Sequence, residues 1–394
     1  MYYIGDEEIE ALRELFGKKR LYRYHTTGPS LCDQFESEFS AVLGTEHSIL
    51  LSSGTNAIVA ALIAAGVQPG DEVLVPTYTF VATAAAVVQA GAIPVLVNID
   101  SQLSLSKVDA LSRLTSKTKA ILAVHMDGLA ADLQGLSRLA VDHKLVLIED
   151  VAQALGGSYK GRRLGSIGDF GCFSLNENKI LSCGEGGILT TSDRAAYERA
   201  FCLHDTPAQF NPTKKDFFTQ GLPFIGGSMR VSEIQGTIMR VQLTRLSRIL
   251  AELRERKAIF REVLGDLPDV QILTGHCADG DCGSSLHLQF ADQVQALTVA
   301  RVLREKGLLF APVTTRPAHV SWKWSHLLGE RSHLQPARNP YLLADSPYLY
   351  NAADYLESVG LLMRTMRMEI DLKLSVDETR ALAQTARGVL QNGN

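Results

Sequence analysis

Lys179 stands in Phe173-Ser-Leu-Asn-Glu-Asn-Lys179-Ile-Leu-Ser-Cys-Gly184-Glu-Gly-Gly187, well downstream of Asp150, which closes the apolar run Leu145-Val-Leu-Ile-Glu149. Far upstream a small-residue turn, Ser53-Gly54-Thr55-Asn56, joins a strand-like segment to a helical one. Taken singly these are a loop lysine, a helix-capping acid and a capped turn. Together they meet the demands of pyridoxal phosphate, whose aldehyde needs an amine for a Schiff base and whose ring nitrogen needs an acid. Lys179 is the amine, and its apolar neighbours Cys172, Phe173, Leu175, Ile180 and Leu181 suit the semi-buried setting that perturbs a group normally titrating at about 10.4. Asp150 is the acid, at the carboxyl end of a strand, where ligands bind in open α/β sheets. Gln153, three residues on, faces the same way one helical turn later.

The phosphate needs N–H donors and hydroxyls, which the Ser53–Asn56 turn supplies at a helix N-terminus. No Gly-Lys-Ser/Thr loop and no GxGxxG follows the first strand, so a nucleotide P-loop and a Rossmann fingerprint are both excluded. Gly184-Glu-Gly-Gly187 reads instead as a tight turn into a strand. Phe80, in Pro76-Thr-Tyr-Thr-Phe80, lies just past a strand and either covers the cofactor ring or packs in the core.

The elements that must position these residues follow from apolar patterning. Asp6 is expected to cap a helix over Glu7–Leu15 without a capping box, since Ile9 stands three residues on. After a polar stretch come strands at His47–Leu51, Glu72–Val75, Pro94–Asn98, Ala120–His125, Val146–Glu149, Asp169–Ser174 and Gly187–Thr191. Helices at Ala57–Ala65 and Phe80–Gln89 separate the first of them. Short apolar strands alternating with helices predict an α/β fold, with a mostly parallel sheet covered on both faces. A long helix, roughly Ser232–Phe260, leads into strands at Val270–Leu273 and Ser285–Phe290 and a helix at Gln295–Glu305. This reads as a large domain over residues 1–240 and a smaller α+β domain over 241–394. Val313–Pro347 shows no steady period and is expected to be loop-like.

The chain has 394 residues and a net charge of −4, with 39 basic and 43 acidic residues and no basic block, which disfavours nucleic acid as a partner. Six scattered cysteines point to a reduced compartment, and Cys277 and Cys282, around Ala-Asp-Gly-Asp, read as a solvent loop rather than a metal site. The start, Met-Tyr-Tyr-Ile-Gly, has no secretory pattern and no apolar run is long enough to span a membrane, so a cytoplasmic protein is expected.

Seven pieces of the chain also resemble the DegT/DnrJ family of sugar aminotransferases, whose fold is the aspartate-aminotransferase type (fold type I), built on a seven-stranded sheet. They are Ser52-Ser-Gly-Thr55, Pro69-Gly-Asp-Glu-Val73, Pro76-Thr-Tyr-Thr-Phe80, Gly91-Ala-Ile-Pro94, Glu149-Asp-Val-Ala-Gln153, Phe173-Ser174 through Lys179, and Gly184-Glu-Gly-Gly187. The likeness runs to about residue 260 and is looser beyond. It implies that Lys179 attaches pyridoxal 5'-phosphate and shuttles protons, and that Asp150 pairs with the ring nitrogen. It further implies that Gln153 touches the ring substituents, Phe80 stacks, and Gly54, Thr55 and Ser174 hold the phosphate. The family's Gly-x-Asn-(Tyr/Phe)-Arg appears as Gly226-Gly-Ser-Met-Arg230, so Ser228 replaces the asparagine while Arg230 is retained. In the family this segment completes the partner subunit's site, which implies a homodimer.

A minority branch of that family, the sugar dehydratases, carries histidine in place of the lysine, so Lys179 favours transamination, with pyridoxamine 5'-phosphate formed during turnover. The resemblance implies L-glutamate as donor and a keto-sugar as acceptor. The second half departs from the common Leu-Pro segment, reading Tyr355-Leu-Glu-Ser-Val-Gly-Leu-Leu-Met-Arg364-Thr-Met-Arg367, with Arg316-Pro-Ala-His319-Val-Ser-Trp322-Lys-Trp324-Ser-His326 upstream. That tail resembles the subgroup making 8-amino-3,8-dideoxy-manno-octulosonate from the C8 aldehyde of 3,8-dideoxy-8-oxo-manno-octulosonate. An acidic sugar of this kind suits an arginine fork, with Arg316, Arg364 or Arg367 as candidates, and His319 and His326 at the substrate mouth. The alternatives are a nucleotide-linked 3-keto or 4-keto deoxyhexose, or a keto-cyclitol. A cofactor-bearing regulator is disfavoured by the lack of a separate DNA-binding element.

Overall fold

Runs of five to seven mostly apolar residues form the strands at the centre of the molecule. The computed structural model describes residues 3–24, 28–210, 217–219, 223–265, 267, 269–328, 335–344, 348 and 350–392. The chain opens with α1 (Asp6–Lys18) and α2 (Leu31–Leu43). It continues through β1 (His47–Leu51), α3 (Gly54–Ala64), β2 (Glu72–Pro76), α4 (Ala82–Gln89), β3 (Ile93–Val97), α5 (Lys107–Ser112), β4 (Thr118–Val124), α6 (Leu133–His143) and β5 (Val146–Asp150). A small hairpin, β6 (Ser158–Tyr159) and β7 (Arg162–Arg163), precedes β8 (Phe170–Ser174), β9 (Gly187–Thr191) and α7 (Arg194–His204).

Seven of these strands form one sheet in the order β1-β9-β8-β5-β4-β2-β3. The pairs from β3 through β2, β4 and β5 to β8 are parallel, whereas β9 runs antiparallel to both β8 and β1. The sheet is therefore mixed and mostly parallel, as the sequence predicts. Its strands are nearly continuous apolar runs because both faces are covered. One face packs under α3 and α4 with Val73, Val75, Leu122 and Ile148, and the other carries Leu74, Ile121 and Leu147.

The polar stretch before β1 is in fact α2. Ser30 caps it, accepting from the Asp33 N–H at 2.9 Å, and Cys32, Phe35, Phe39 and Leu43 bury its apolar stripe. The Phe39 ring meets Phe173 of β8 edge-on at 5.2 Å. Burying each such ring contributes roughly 1.5–3 kcal/mol, so α2 braces the strand that leads to Lys179. The N-cap of α1 is Gly5 rather than Asp6, and Glu8 accepts the Gly5 N–H at 2.8 Å. Half of a capping box thus exists where none is expected, because the cap stands one residue earlier than Asp6.

The long helix α8 (Glu233–Leu264) starts at Ser232, whose N–H donates to Gln235 at 3.0 Å. Its first half packs against α1 and α2 and its last turns against α11 (Val376–Asn392). The expected boundary at residue 240 falls inside this helix. Beyond it lie β10 (Val270–Ile272), β11 (Ser285–Phe290), α9 (Gln293–Glu305), β12 (Ala311–Pro312), α10 (Leu356–Met363) and β13 (Thr365–Glu369). They build a four-stranded antiparallel sheet, β10-β11-β13-β12, with helices on it: an α+β unit smaller than the first.

The Cys277–Cys282 segment is not a solvent loop. Cys282 is fully buried, and Asp281 is buried in an ion pair with Lys257. Of the expected loop at 313–347, residues 329–334 and 345–347 lie outside the described residues. Its first part is a series of single 3-10 turns stitched to the end of β2, through Thr79 N–H to His319 O at 3.2 Å and Ser321 N–H to Thr77 O at 3.0 Å.

Candidate active site

The carboxyl ends of β2, β4, β5 and β8 open on one side of the large sheet, and the stitched segment and β13 face them. Between lies a cavity of about 630 Å³. Gly54, Thr55, Phe80, Asp150, Gln153, Ser174, Lys179, Arg316, His319 and Arg367 all line it.

Asp150 is buried at the end of β5, where Thr83 Oγ donates to Oδ2 at 2.8 Å and the Ala152 N–H to Oδ1 at 3.1 Å. Burial pushes its carboxyl up from the ordinary value, against those two donors and the Lys179 charge. Burial likewise pushes the Lys179 amine down, while Asp150 and Asp127 pull it up. An acid short of positive charge and an amine eased toward its nucleophilic form thus share one cavity.

At the other end α3 begins at Ser53, whose Oγ accepts the Asn56 N–H at 3.1 Å. The first intrahelical bond is Ala57 N–H to Ser53 O, which leaves the Gly54 and Thr55 N–H groups at the open end of the helix dipole. The turn is pressed against β8 and β9. A Cβ at Gly54 would lie 2.9 Å from Ser174 Cβ, and one at Gly187 only 2.2 Å from Ser53 O. Both glycines are required by backbone proximity. The acid, the amine and this anion cradle, within one cavity, fit pyridoxal phosphate.

The middle of the cavity is tied together by Asp127, a residue past β4 with a left-handed backbone (φ 53°) and a fully buried side chain. Arg316 Nη1 donates to its Oδ1 at 2.9 Å and Nη2 to Oδ2, Arg367 Nε sits 2.8 Å from Oδ1, and Tyr78 Oη donates to Oδ2 at 2.8 Å. Burial alone would raise this carboxyl, but the two guanidiniums hold it well below the usual range. The Asp127 N–H donates to Gln153 Oε1 at 3.2 Å, which turns the Gln153 amide nitrogen toward His319 Nε2 at 3.4 Å. His319 in turn packs against the half-exposed Phe80, ring centres 5.2 Å apart.

Residues 3–339 match the DegT/DnrJ/EryC1/StrS aminotransferase family. The chain belongs to that family. It is 39% identical over 226 residues to GDP-perosamine synthase of Caulobacter vibrioides, 57% of this chain and 58% of that one. It is 32% identical over 310 residues to GDP-perosamine synthase of Escherichia coli O157:H7, 75% of this chain and 81% of that one. The first of these alignments thus spans less than two thirds of the relative's own length. In fold it resembles the aminotransferase from Psychrobacter cryohalolentis, with a TM-score of 0.82 at 24% identity over 100% of this chain and 98% of that one. The architecture is aminotransferase fold type I.

Four residues singled out for this family's chemistry lie elsewhere in the single chain. Ser228 bridges Asp205 through the backbone, and Arg230 ion-pairs with Asp205 beside the Tyr22 ring. Neither lines the cavity. His326 is exposed, and Arg364 lines a separate surface groove and donates to Phe290 O at 2.9 Å, so neither reaches the crevice.

The sequence reading missed Asp127, Thr83 and the pair His125–Glu149. Glu149, the neighbour of Asp150, points to the opposite face of β5 and is fully buried. It accepts from the N–H groups of Gly165 (2.8 Å), Ile167 and Gly168 (both 2.7 Å), while His125 Nε2 lies 3.2 Å away. His125 Nδ1 accepts the Ala131 N–H at 3.0 Å, so Nε2 carries the proton given to Glu149.

Burial, with Arg316 adjacent, pushes His319 down to about 4 from an ordinary 6.5. Between those values the unfolded chain binds a proton that the folded one refuses. The stability His319 contributes is therefore complete above about pH 6.5 and is lost as pH falls toward 4. His319→Gln should flatten the fall of melting temperature over that window, and identical slopes would remove the histidine as its source.

Proposed function

We propose that this chain is a pyridoxal-phosphate-dependent aminotransferase that moves an amino group from L-glutamate to the ketone of a nucleotide-linked deoxyhexose. The observation that carries the reading is the convergence of the Lys179 amine, the Asp150 carboxylate and the open N-terminus of α3 on one cavity. When bound there, pyridoxal phosphate would supply the carbonyl that receives the amino group and the electron sink for proton transfer.

Lys179 is its attachment point and, once released, the base that takes the proton from the donor's α-carbon and later returns one to the acceptor. Asp150, oriented by Thr83 and the Ala152 N–H, supplies the negative charge that keeps the ring nitrogen protonated. The Gly54 and Thr55 N–H groups, with the Thr55 and Ser174 hydroxyls, take the phosphate. Gln153 is fixed by the Asp127 N–H, and Phe80 with His319 forms the cover that excludes water. Amino group and ketone oxygen are exchanged overall, glutamate leaving as its keto acid.

A homodimer belongs to the same proposal. Arg230 lies beside the exposed Tyr22 ring, and Phe224 and Ile225 of its own segment are exposed as well (55%, 40% and 93%), apolar side chains that a second copy would cover in bringing Arg230 to its phosphate cradle.

For the acceptor, relatives named for GDP-perosamine favour the nucleotide-linked deoxyhexose over the octulosonate aldehyde, which no comparison supports. The test starts from the enzyme loaded with pyridoxamine phosphate and follows the visible absorbance band on adding an acceptor. GDP- and dTDP-linked 4-keto-6-deoxyhexoses should restore it. Restoration by the octulosonate aldehyde or an inosose alone would reject the deoxyhexose, and no response of the pyridoxal form to any amino acid would reject the aminotransferase.

A further inference from the structure

We propose that Thr79 and Thr83 form a hydroxyl relay that orients Asp150 and keeps it charged as the partner of the cofactor's ring nitrogen. Neither is a catalytic residue: Thr83 positions Asp150, and Thr79 positions Thr83. The proposal deepens the aminotransferase reading and rests on it. Thr79 Oγ lies 2.7 Å from Thr83 Oγ, and Thr83 Oγ lies 2.8 Å from Asp150 Oδ2. Both threonines are 1% exposed and line the cavity, and among the described residues neither hydroxyl has a further partner.

The order of donation follows from what each group can give. A carboxylate only accepts, so the single Thr83 proton goes to Asp150 Oδ2, and Thr83 Oγ receives its own bond from Thr79. A hydroxyl polarised by a second donor binds its acceptor more strongly. Hydrogen bonds to the charged form favour that form, so the pair opposes the burial that would neutralise Asp150. The nearest charged groups are Lys179 in the cavity and His125, which is committed to Glu149. Neither bonds the carboxylate, so the Thr83 hydroxyl and the Ala152 N–H are the donors that fix its oxygens.

The backbone holds this order in place. A threonine inside a helix commonly turns its hydroxyl back to a carbonyl three or four residues earlier. Thr83 is the second residue of α4, which begins at Ala82, and its hydroxyl reaches across to β5 instead. Thr79 is pinned from the other side. Its N–H donates to His319 O at 3.2 Å, and the Val81 N–H donates to Ala318 O at 2.7 Å. The corner between β2 and α4 thus carries the ring cover Phe80 and, on either side of it, the two hydroxyls that serve Asp150.

The test uses holoenzyme carrying pyridoxal phosphate labelled with nitrogen-15 in the ring, whose NMR signal reports whether that nitrogen is protonated. Thr83→Val keeps the branched shape and removes the hydroxyl, Thr83→Ser keeps the hydroxyl, and Thr79→Val removes the second donor. Losing a hydrogen bond to a charged group should shift the shared proton roughly 10- to 100-fold from ring nitrogen toward carboxylate in Thr83→Val. The signal then moves toward its unprotonated position, and the limiting rate with glutamate falls while the glutamate KM stays near normal. Thr83→Ser should restore both. Thr79→Val should move the signal the same way by less, and should add nothing in a protein that already carries Thr83→Val.

An unchanged signal and limiting rate in Thr83→Val overturn the proposal. A Thr83→Ser protein that behaves like Thr83→Val also overturns it, since shape and not the hydroxyl would then matter. So does a Thr79→Val effect that persists in full beside Thr83→Val, because the two side chains would then act independently. Should Thr83→Val fail to fold, the other two variants carry the test: a wild-type signal in Thr83→Ser with a displaced one in Thr79→Val supports the relay, and wild-type signals in both overturn it. If the wild type shifts its visible band with glutamate in the overturning cases, the aminotransferase reading survives without this one.

Discussion

Replacing Lys179 by alanine is expected to cut turnover roughly a thousandfold or more, because in the proposed mechanism one side chain is both attachment point and proton carrier. No other amine lines the cavity among the described residues. The fold should survive: Lys179 sits in a turn, its N–H donating to Asn176 O at 3.0 Å, and backbone bonds of that kind do not depend on the side chain. Two measurements check this. Steady-state turnover with glutamate and acceptor should nearly vanish, and the cofactor should be lost on gel filtration after denaturation, where wild type treated first with a hydride reductant retains it. Substantial turnover in the variant would refute the assignment of the base.

The second large effect concerns stability. Asp127→Asn would leave Arg316 and Arg367 facing each other without their shared carboxylate, which is fully buried. Removing one partner of a buried ion pair costs about 3–5 kcal/mol, since the remaining charge keeps its desolvation penalty. Melting temperature should fall by several degrees. Glu7→Gln is the control: its pair with Arg245 involves a carboxylate that is 70% exposed, and such pairs contribute about 0–1 kcal/mol. Equal losses in the two variants would show that the Asp127 cluster is not a structural clamp.

Much of the site was legible in the sequence because its residues follow strand ends. Asp150, Phe80 and the Ser53–Asn56 turn each stand just past an apolar run, and in an open α/β sheet those ends share one crevice. The same rule applies to Asp127, which follows β4 as Asp150 closes β5, but no cofactor demand pointed to it. The helix α2 was missed although Ser30, Asp33 and apolar residues at three- and four-residue spacing mark it, because its exposed face dominates the composition. In the second half Arg316, Arg364 and Arg367 looked equivalent. Thr365-Met-Arg-Met-Glu369 alternates with period two, and reading it as a strand would have set Arg367 apart. Arg364 lies before that strand, in a different groove. Arg230, proposed to act on a partner's site, is held within this chain by its pair with Asp205.

The paired acids at the end of β5 have one more consequence. Glu149 is committed to three backbone N–H groups on one face, and Asp150 to Thr83 and the cavity on the other. Successive side chains of a strand face opposite ways, so a slip of one residue would exchange the two. The longer carboxylate would then intrude on the cavity, and the shorter one would fall short of the turn at Gly165–Gly168. The unequal reach of these neighbours acts as a vernier: one alignment of the strand satisfies both carboxylates, so the register of the sheet and the placing of Asp150 in the cavity are set together.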